Sequence, residues 1–224
     1  MLLLFALWEF AGQWSLGQGD DAVARGQAIW GAERALRLPS EAWLQSALLP
    51  QHWLIQGANY YYAVMHFGVM IGFLLWVFLR HRSAYPRVRA LLVTVTGASL
   101  LVQLLPVAPP RLVSGTGMVD TGLAYGQSVY AGAGAAGVTA DGLAAMPSVH
   151  VAWCVLVAAC VLSVSRSRWR WLALLHVALT VLVVVVTANH YWLDGVAGAA
   201  LVAAAWPLGP AVQRRTWGRS SSSQ

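Results

Sequence analysis

Residues 148–208 read SVHVAWCVLVAACVLSVSRSRWRWLALLHVALTVLVVVVTANHYWLDGVAGAALVAAAWPL. Three apolar runs, 148–164, 169–188 and 191–208, are broken only by an Arg-bearing turn and by Asn189-His190. A helix needs about 20 predominantly apolar residues to cross a bilayer, with a floor near 17, and each run meets or approaches that length. Working outward, 53–79 and 90–107 have the same character. The run 1–16 is shorter and carries Glu9 and Gln13. Without a basic n-region or a clear small-residue cleavage site, it reads as a first span rather than a signal peptide. The expected fold is all-α: a polytopic membrane helix bundle of about six transmembrane helices. A single membrane-embedded domain covers 1–210, and 211–224, with serines at 220–223, is expected to be a disordered tail.

Composition excludes the main alternative. Of 224 residues, 58% are hydrophobic and only 10% charged, with a mean hydropathy of +0.61. A soluble domain carries about a quarter charged residues to cover its surface, and this chain cannot. Cys154 and Cys160 are six apart on different faces of one apolar run, too far apart in a helix to bridge, and read as small core residues.

All fourteen basic residues are Arg, and their placement orients the chain. Arg80, Arg82, Arg87, Arg89, Arg166, Arg168, Arg170, Arg214, Arg215 and Arg219 fall on one side of alternating spans. The other side holds Arg25, Arg34, Arg37 and Arg111 with seven of the eight acids. Both termini are therefore expected in the cytoplasm, and the plasma membrane is the expected location. This charge pattern argues against nucleic acid despite a pI near 9.9. On the outer side, residues 20–50 read as short amphipathic helices, with Ser40 as an N-cap and Trp43, Leu44, Ala47 and Leu48 as an interfacial stripe. Residues 113–145, with eight Gly and no clear period, form a long outer loop of the kind that usually serves as a lid or binding loop.

The chemistry-bearing residues gather at that outer face. His150 follows Ala145-Met146-Pro147-Ser148-Val149, and His190 comes forty residues later, within Asn189-His190-Tyr191-Trp192-Leu193-Asp194. One helix down, an Arg turn and one helix back bring both imidazoles to the same depth. Pro147 suits a first helical turn, and Asn189 suits a cap that places His190 in a first turn. Two helix N-termini would then face one anion. Asp194 lies four residues after His190, where a carboxylate can orient an imidazole. Arg111 ends the stiff segment Pro106-Val107-Ala108-Pro109-Pro110-Arg111 and suits phosphate oxygens. Asn59, Tyr62 and His66 share a face of the 53–79 run, where polar groups at membrane depth are functional candidates. His176 reads as structural. Phosphoryl chemistry, a metal site and a proton relay all remain open on these residues alone, although the spacing matches no standard metal motif.

Pro147-Ser148-Val149-His150 followed by His190-x-x-x-Asp194 resembles two signatures of the type-2 phosphatidic acid phosphatase superfamily. The text around them is similar to its inositol phosphorylceramide synthase-like, inositolphosphotransferase branch. Supporting stretches are Asn59-Tyr60-Tyr61-Tyr62 with His66-Phe67, Pro109-Pro110-Arg111-Leu112 and Val119-Asp120-Thr121, and the likeness runs from about residue 22 to 208. The resemblance implies His190 as a nucleophile forming a phosphohistidine, Asp194 as its orienting partner and His150 as general acid and base. It implies Arg111 and Ser148 as phosphate-binding residues, with Asn59, Tyr62, His66 and Asp120 as candidate substrate-pocket residues, and no metal or other cofactor.

Four positions depart from the phosphatase pattern. Leu104 stands where a Lys is usual, Val183 and Val184 replace a Ser-Arg pair, and Val149 replaces a Gly. Two cations are thus missing, which suits a diester better than a monoester, unless Arg25, Arg34 or Arg37 supplies the charge. The expected function is transfer of a phosphoryl or phospho-headgroup, phosphoinositol among them, from a membrane lipid to a lipid alcohol. The alternatives are hydrolysis of phosphatidic acid or polyprenyl pyrophosphate, and a transporter or proton relay.

Overall fold

A computed structural model describes residues 18–129 and 140–209. The proposed first span, the centre of the Gly-rich loop and the C-terminal tail lie outside the described residues. Those described contain eight α-helices: α1 (Gly19–Ala35), α2 (Glu41–Leu48), α3 (His52–Arg80), α4 (Tyr85–Val102), α5 (Thr121–Ala124), α6 (Val149–Val164), α7 (Leu172–Val186) and α8 (Trp192–Ala205). Short 3-10 turns at Pro110–Leu112, Ala140–Leu143 and Arg168–Trp171 join them.

Among the described residues, two helical stretches are long and apolar enough to cross a membrane, His52–Arg80 and Arg168–Val186. Helices α6 and α8 are apolar but shorter, at 16 and 14 residues, below the usual crossing length. Helix α4 begins and ends five residues before the run 90–107, taking in Arg87 and Arg89. It cannot continue through Pro106, because Pro lacks the N–H that a helix interior uses.

The core is built around α6, which packs on α3, α4, α7 and α8. Met70, Phe73 and Val77 of α3 meet Val88, Leu91 and Val95 of α4, Leu156 and Cys160 of α6, and Val202 of α8. Tyr62, Val151, Cys154 and Val183–Val185 form a second cluster nearer the outer end. Both cysteines are buried and unbridged. The opposite face of α3 carries an apolar stripe at helical spacing, with Val64, Phe67, Ile71, Leu75 and Leu79 each more than half exposed. Leu172 and Leu175 of α7 are similarly exposed. Contiguous apolar surface of this kind belongs against lipid or another apolar partner rather than water.

One glycine sets the geometry of the whole outer end. Helices α6 and α8 cross so closely that a Cβ on Gly198 would lie 2.6 Å from the Ser148 carbonyl oxygen and 3.1 Å from the Ala152 nitrogen. The Ser148 N–H donates to the Asp194 carbonyl across the same crossing, at 3.1 Å. The two motif-bearing helix starts are therefore joined backbone to backbone.

Ser40 caps α2 as expected, accepting from the Trp43 N–H at 3.2 Å. Trp43 and Ala47 face outward, consistent with the interfacial stripe. The inner face is polar, which the amphipathic pattern did not anticipate: Glu41 and Gln45 are the buried residues of α2. Gln45 ties the outer loop down, bonding Val119 through both its carbonyl and its backbone N–H and the Val186 carbonyl as well.

Candidate active site

The chain between α7 and α8 decides where His190 points. Helix α7 ends at Val186, and Ala188 takes a left-handed φ of 56°, uncommon for a residue with a Cβ. The Asn189 and His190 N–H groups both fold back to the Val184 carbonyl at 3.1 Å. Tyr191 is the N-cap of α8, and Asp194, at its third position, accepts from the Tyr191 N–H at 2.9 Å. This corrects the expected cap: Asn189 does not cap α8, and His190 precedes the helix instead of lying in its first turn. Pro147 likewise lies outside α6, whose N-cap is Ser148.

His190 and Asp194 still meet. The His190 Nδ1 lies 2.8 Å from the Ala145 carbonyl oxygen and 3.4 Å from Asp194 Oδ2. A carbonyl can only accept, so in the neutral ring Nδ1 carries the proton and Nε2 keeps its lone pair. Nε2 is buried and has no hydrogen-bond partner. The Ala145 carbonyl is in place because Val107 and Ala144 pair through a short parallel bridge, Val107 donating to the Leu143 carbonyl at 2.8 Å and Ala145 donating to the Val107 carbonyl at 3.1 Å.

His150 stands in the first turn of α6, its ring centroid 5.5 Å from that of His190. Tyr62 stacks on it at 4.4 Å and His66 meets its edge at 4.3 Å. The His66 Nδ1 bonds to the Tyr62 carbonyl at 3.0 Å, which fixes that ring as well. Arg111 lines the same cavity, its side chain 5% exposed. Its Nε lies 3.2 Å from Asp120 Oδ2, and its Nη1 donates to the Asn189 side-chain oxygen. These contacts fix a planar cation in the wall of the cavity that both imidazoles line.

His190, His150, Arg111, Tyr62 and His66 share one cavity of about 900 Å³. It continues between α3 and α4, lined by Phe67, Met70, Ile71, Leu74, Leu92, Val93 and Leu100. From Tyr62 to Leu74 the lining of α3 extends some 18 Å at 1.5 Å per residue. The cavity is polar where the helix starts meet and apolar along its length.

The other expected residues also hold local structure. Ser148 is fully buried, and its Oγ accepts from the Val151 N–H at 3.3 Å as the α6 cap. Asp120 caps α5 through the Leu123 N–H while pairing with Arg111. Asn59 holds the outer loop, donating to the Thr121 carbonyl and Gln127 and accepting from the Thr121 hydroxyl, and it lines a small pocket with Arg111, Asp120 and Asn189. His176 is held by Tyr61 at 2.6 Å, the structural role expected of it.

Arg25 and Arg34 do not supply the missing cations. Arg25 donates to the Pro106 carbonyl and Arg34 to Glu41, and neither they nor Arg37 line the cavity. Val183 and Val184 are buried in apolar packing. Tyr191, which sequence reading passed over, is 1% exposed and donates to the Ala108 carbonyl, pinning the Arg111 segment to α8. Among the described residues, no three His, Cys, Asp or Glu side chains come together as metal ligands.

A family model described as PAP2 superfamily matches residues 27–208. No curated protein and no solved structure matches the chain.

Proposed function

Because the chain belongs to the PAP2 superfamily, and so is a membrane protein with a lipid phosphatase or phosphotransferase type of function, we propose that it transfers a phospho-headgroup between lipids through a phosphohistidine on His190. The observation that carries this reading is the lone-pair nitrogen of His190, buried and without a partner, in a residue that lines the same cavity as a second imidazole and a guanidinium. A nucleophile of this kind needs its other nitrogen held by an acceptor, and the Ala145 carbonyl does that.

His190 Nε2 attacks phosphorus, forming an N–P bond while the P–O bond to the lipid alcohol breaks. His150 gives its proton to the departing oxygen. The acceptor hydroxyl then loses its proton to His150 and attacks the same phosphorus, and the N–P bond breaks. Arg111 and the backbone N–H groups opening α6 stabilise the phosphoryl oxygens as charge develops. Asp194 stabilises the cationic His190 ring. No step calls for a metal.

The apolar length of the cavity suits hydrocarbon chains entering between α3 and α4, with the headgroup at the outer end. Transfer from a diester is favoured over monoester hydrolysis because Arg111 is the one Arg on the cavity wall among the described residues. A terminal monoester carries more charge than one guanidinium balances. A phosphoinositol headgroup follows from the likeness to the inositolphosphotransferase branch. Six spans are supported by the lengths of the apolar runs, and cytoplasmic termini with an active site on the outer face of the membrane by the Arg distribution.

Purified protein given phosphatidylinositol, phosphatidic acid or polyprenyl pyrophosphate, with and without a lipid alcohol, tests the reading. A new phospholipid formed only when the alcohol is present supports transfer. Release of inorganic phosphate without it makes the chain a hydrolase. No turnover of any of these lipids removes the proposal.

A further inference from the structure

Two buried acids lie behind the catalytic helix with no part in the chemistry above. Glu33, in the last turn of α1, and Glu41, opening α2, are both fully buried. Glu33 Oε1 accepts from the Leu193 N–H at 2.8 Å, in the first turn of α8. Glu41 Oε2 accepts from Arg34 at 2.7 Å. Each carboxyl keeps one further oxygen, Glu33 Oε2 and Glu41 Oε1, which is buried and lacks a partner. The two side chains are within hydrogen-bonding reach of each other.

We infer that Glu33 and Glu41 share one proton, and that this carboxyl–carboxylate pair positions the first turn of α8 behind His190 and Asp194. One proton between two orphaned oxygens makes an O–H···O⁻ bond and satisfies both at once, whereas two ionised carboxylates would repel. The charge then balances: the pair carries a single negative charge, and Arg34 supplies the positive one. The other groups facing the pair are Asp194 of α8, with His190 beside it, and Tyr191, whose hydroxyl is committed to Ala108. None of them offers the pair a second cation.

Burial and the neighbouring Glu41 raise the Glu33 carboxyl to about 8. A pKa raised above its unfolded value contributes stability that is present at acid pH and lost as pH climbs to the folded value. The shared proton is therefore kept at neutral pH and lost as pH passes about 8, after which Glu33 still accepts from the Leu193 N–H but the two carboxylates repel. The outer helices and the start of α8 are also joined by Trp192 Nε1 donating to the Pro39 carbonyl at 2.8 Å, so the repulsion loosens the packing behind the Tyr191–Asp194 turn without detaching it.

The consequence for catalysis rests on the proposed function, but the shared proton does not. Infrared spectroscopy of the full chain in nanodiscs, titrated with pH, reads the proton directly. Wild type is expected to show the carbonyl stretch of a buried protonated carboxyl at neutral pH, lost near pH 8 and missing from both Glu33→Gln and Glu41→Gln. No such band in wild type, or its survival in both variants, overturns the pair. Amide exchange at Trp192–Asp194 reads the positioning: Glu33→Ala should exchange faster than wild type, and Glu33→Gln, which keeps an acceptor for Leu193, should restore protection. Equal exchange in all three overturns the positioning role, even where no lipid is turned over. In turnover assays, the alkaline fall in rate should move or vanish in Glu33→Gln. An unchanged pH profile there would separate the pair from catalysis.

Discussion

The His190 Nδ1 lies 2.8 Å from the carbonyl oxygen of Ala145, closer than the 3.4 Å to the carboxylate of Asp194. The backbone, more than the acid, therefore fixes which nitrogen of His190 keeps its lone pair. Asp194 contributes charge and caps its own helix through the Tyr191 N–H. This division of labour sets the first prediction.

Asp194→Asn keeps an acceptor for the Tyr191 N–H and leaves the Ala145 contact intact. Turnover should fall roughly 10²-fold, at the lower end of what positioned acid–base groups contribute, with little change in Tm. Loss of folding together with activity would show the carboxylate to be mainly structural.

Gly198→Ala would drive a methyl group into the Ser148 carbonyl at 2.6 Å. Backbone cannot yield as a flexible side chain does, so α6 and α8 must separate. Thermal unfolding should report a loss of about 1–3 kcal/mol, as for other overpacked contacts. Turnover should drop further than stability alone explains, because His150 and His190 ride on the separated segments. An alanine variant with wild-type Tm and rate would contradict the crossing.

Arg111 contacts Asp120, Asn189 and the Gly142 carbonyl through different nitrogens of one planar fork. Lysine offers one point charge and cannot reproduce that geometry. Arg111→Lys should lose nearly as much turnover as Arg111→Ala, about 10²–10³-fold for a single stabilising donor of this kind. Rescue by lysine would mean that only charge matters there.

Much of this site was legible in the sequence because spacing carried it. Forty residues between His150 and His190 meant one helix down and one back, and the two rings do meet. Where the reading slipped, a local backbone choice was responsible. Nothing in Thr187-Ala188-Asn189 announces that Ala188 turns left-handed, and that turn makes Tyr191 the cap instead of Asn189. The role of Ala145 was hidden for a different reason, since a carbonyl is common to every residue. Glu33, Glu41 and Gln45 were hidden because an amphipathic pattern assigns polar residues to water. Only the packed structure turns them inward, against α8 and the outer loop. Helix α4 slid five residues because the prolines after Gln103 end it early.

The most direct measurement is capture of the covalent intermediate. Purified chain is mixed with a phospholipid donor in the absence of acceptor, quenched in alkali and mapped by peptide mass spectrometry. A headgroup-phosphate adduct on His190, absent from His190→Ala and discharged by a lipid alcohol in wild type, is the predicted result. Turnover with no adduct on His190, or undiminished turnover by His190→Ala, would contradict the account.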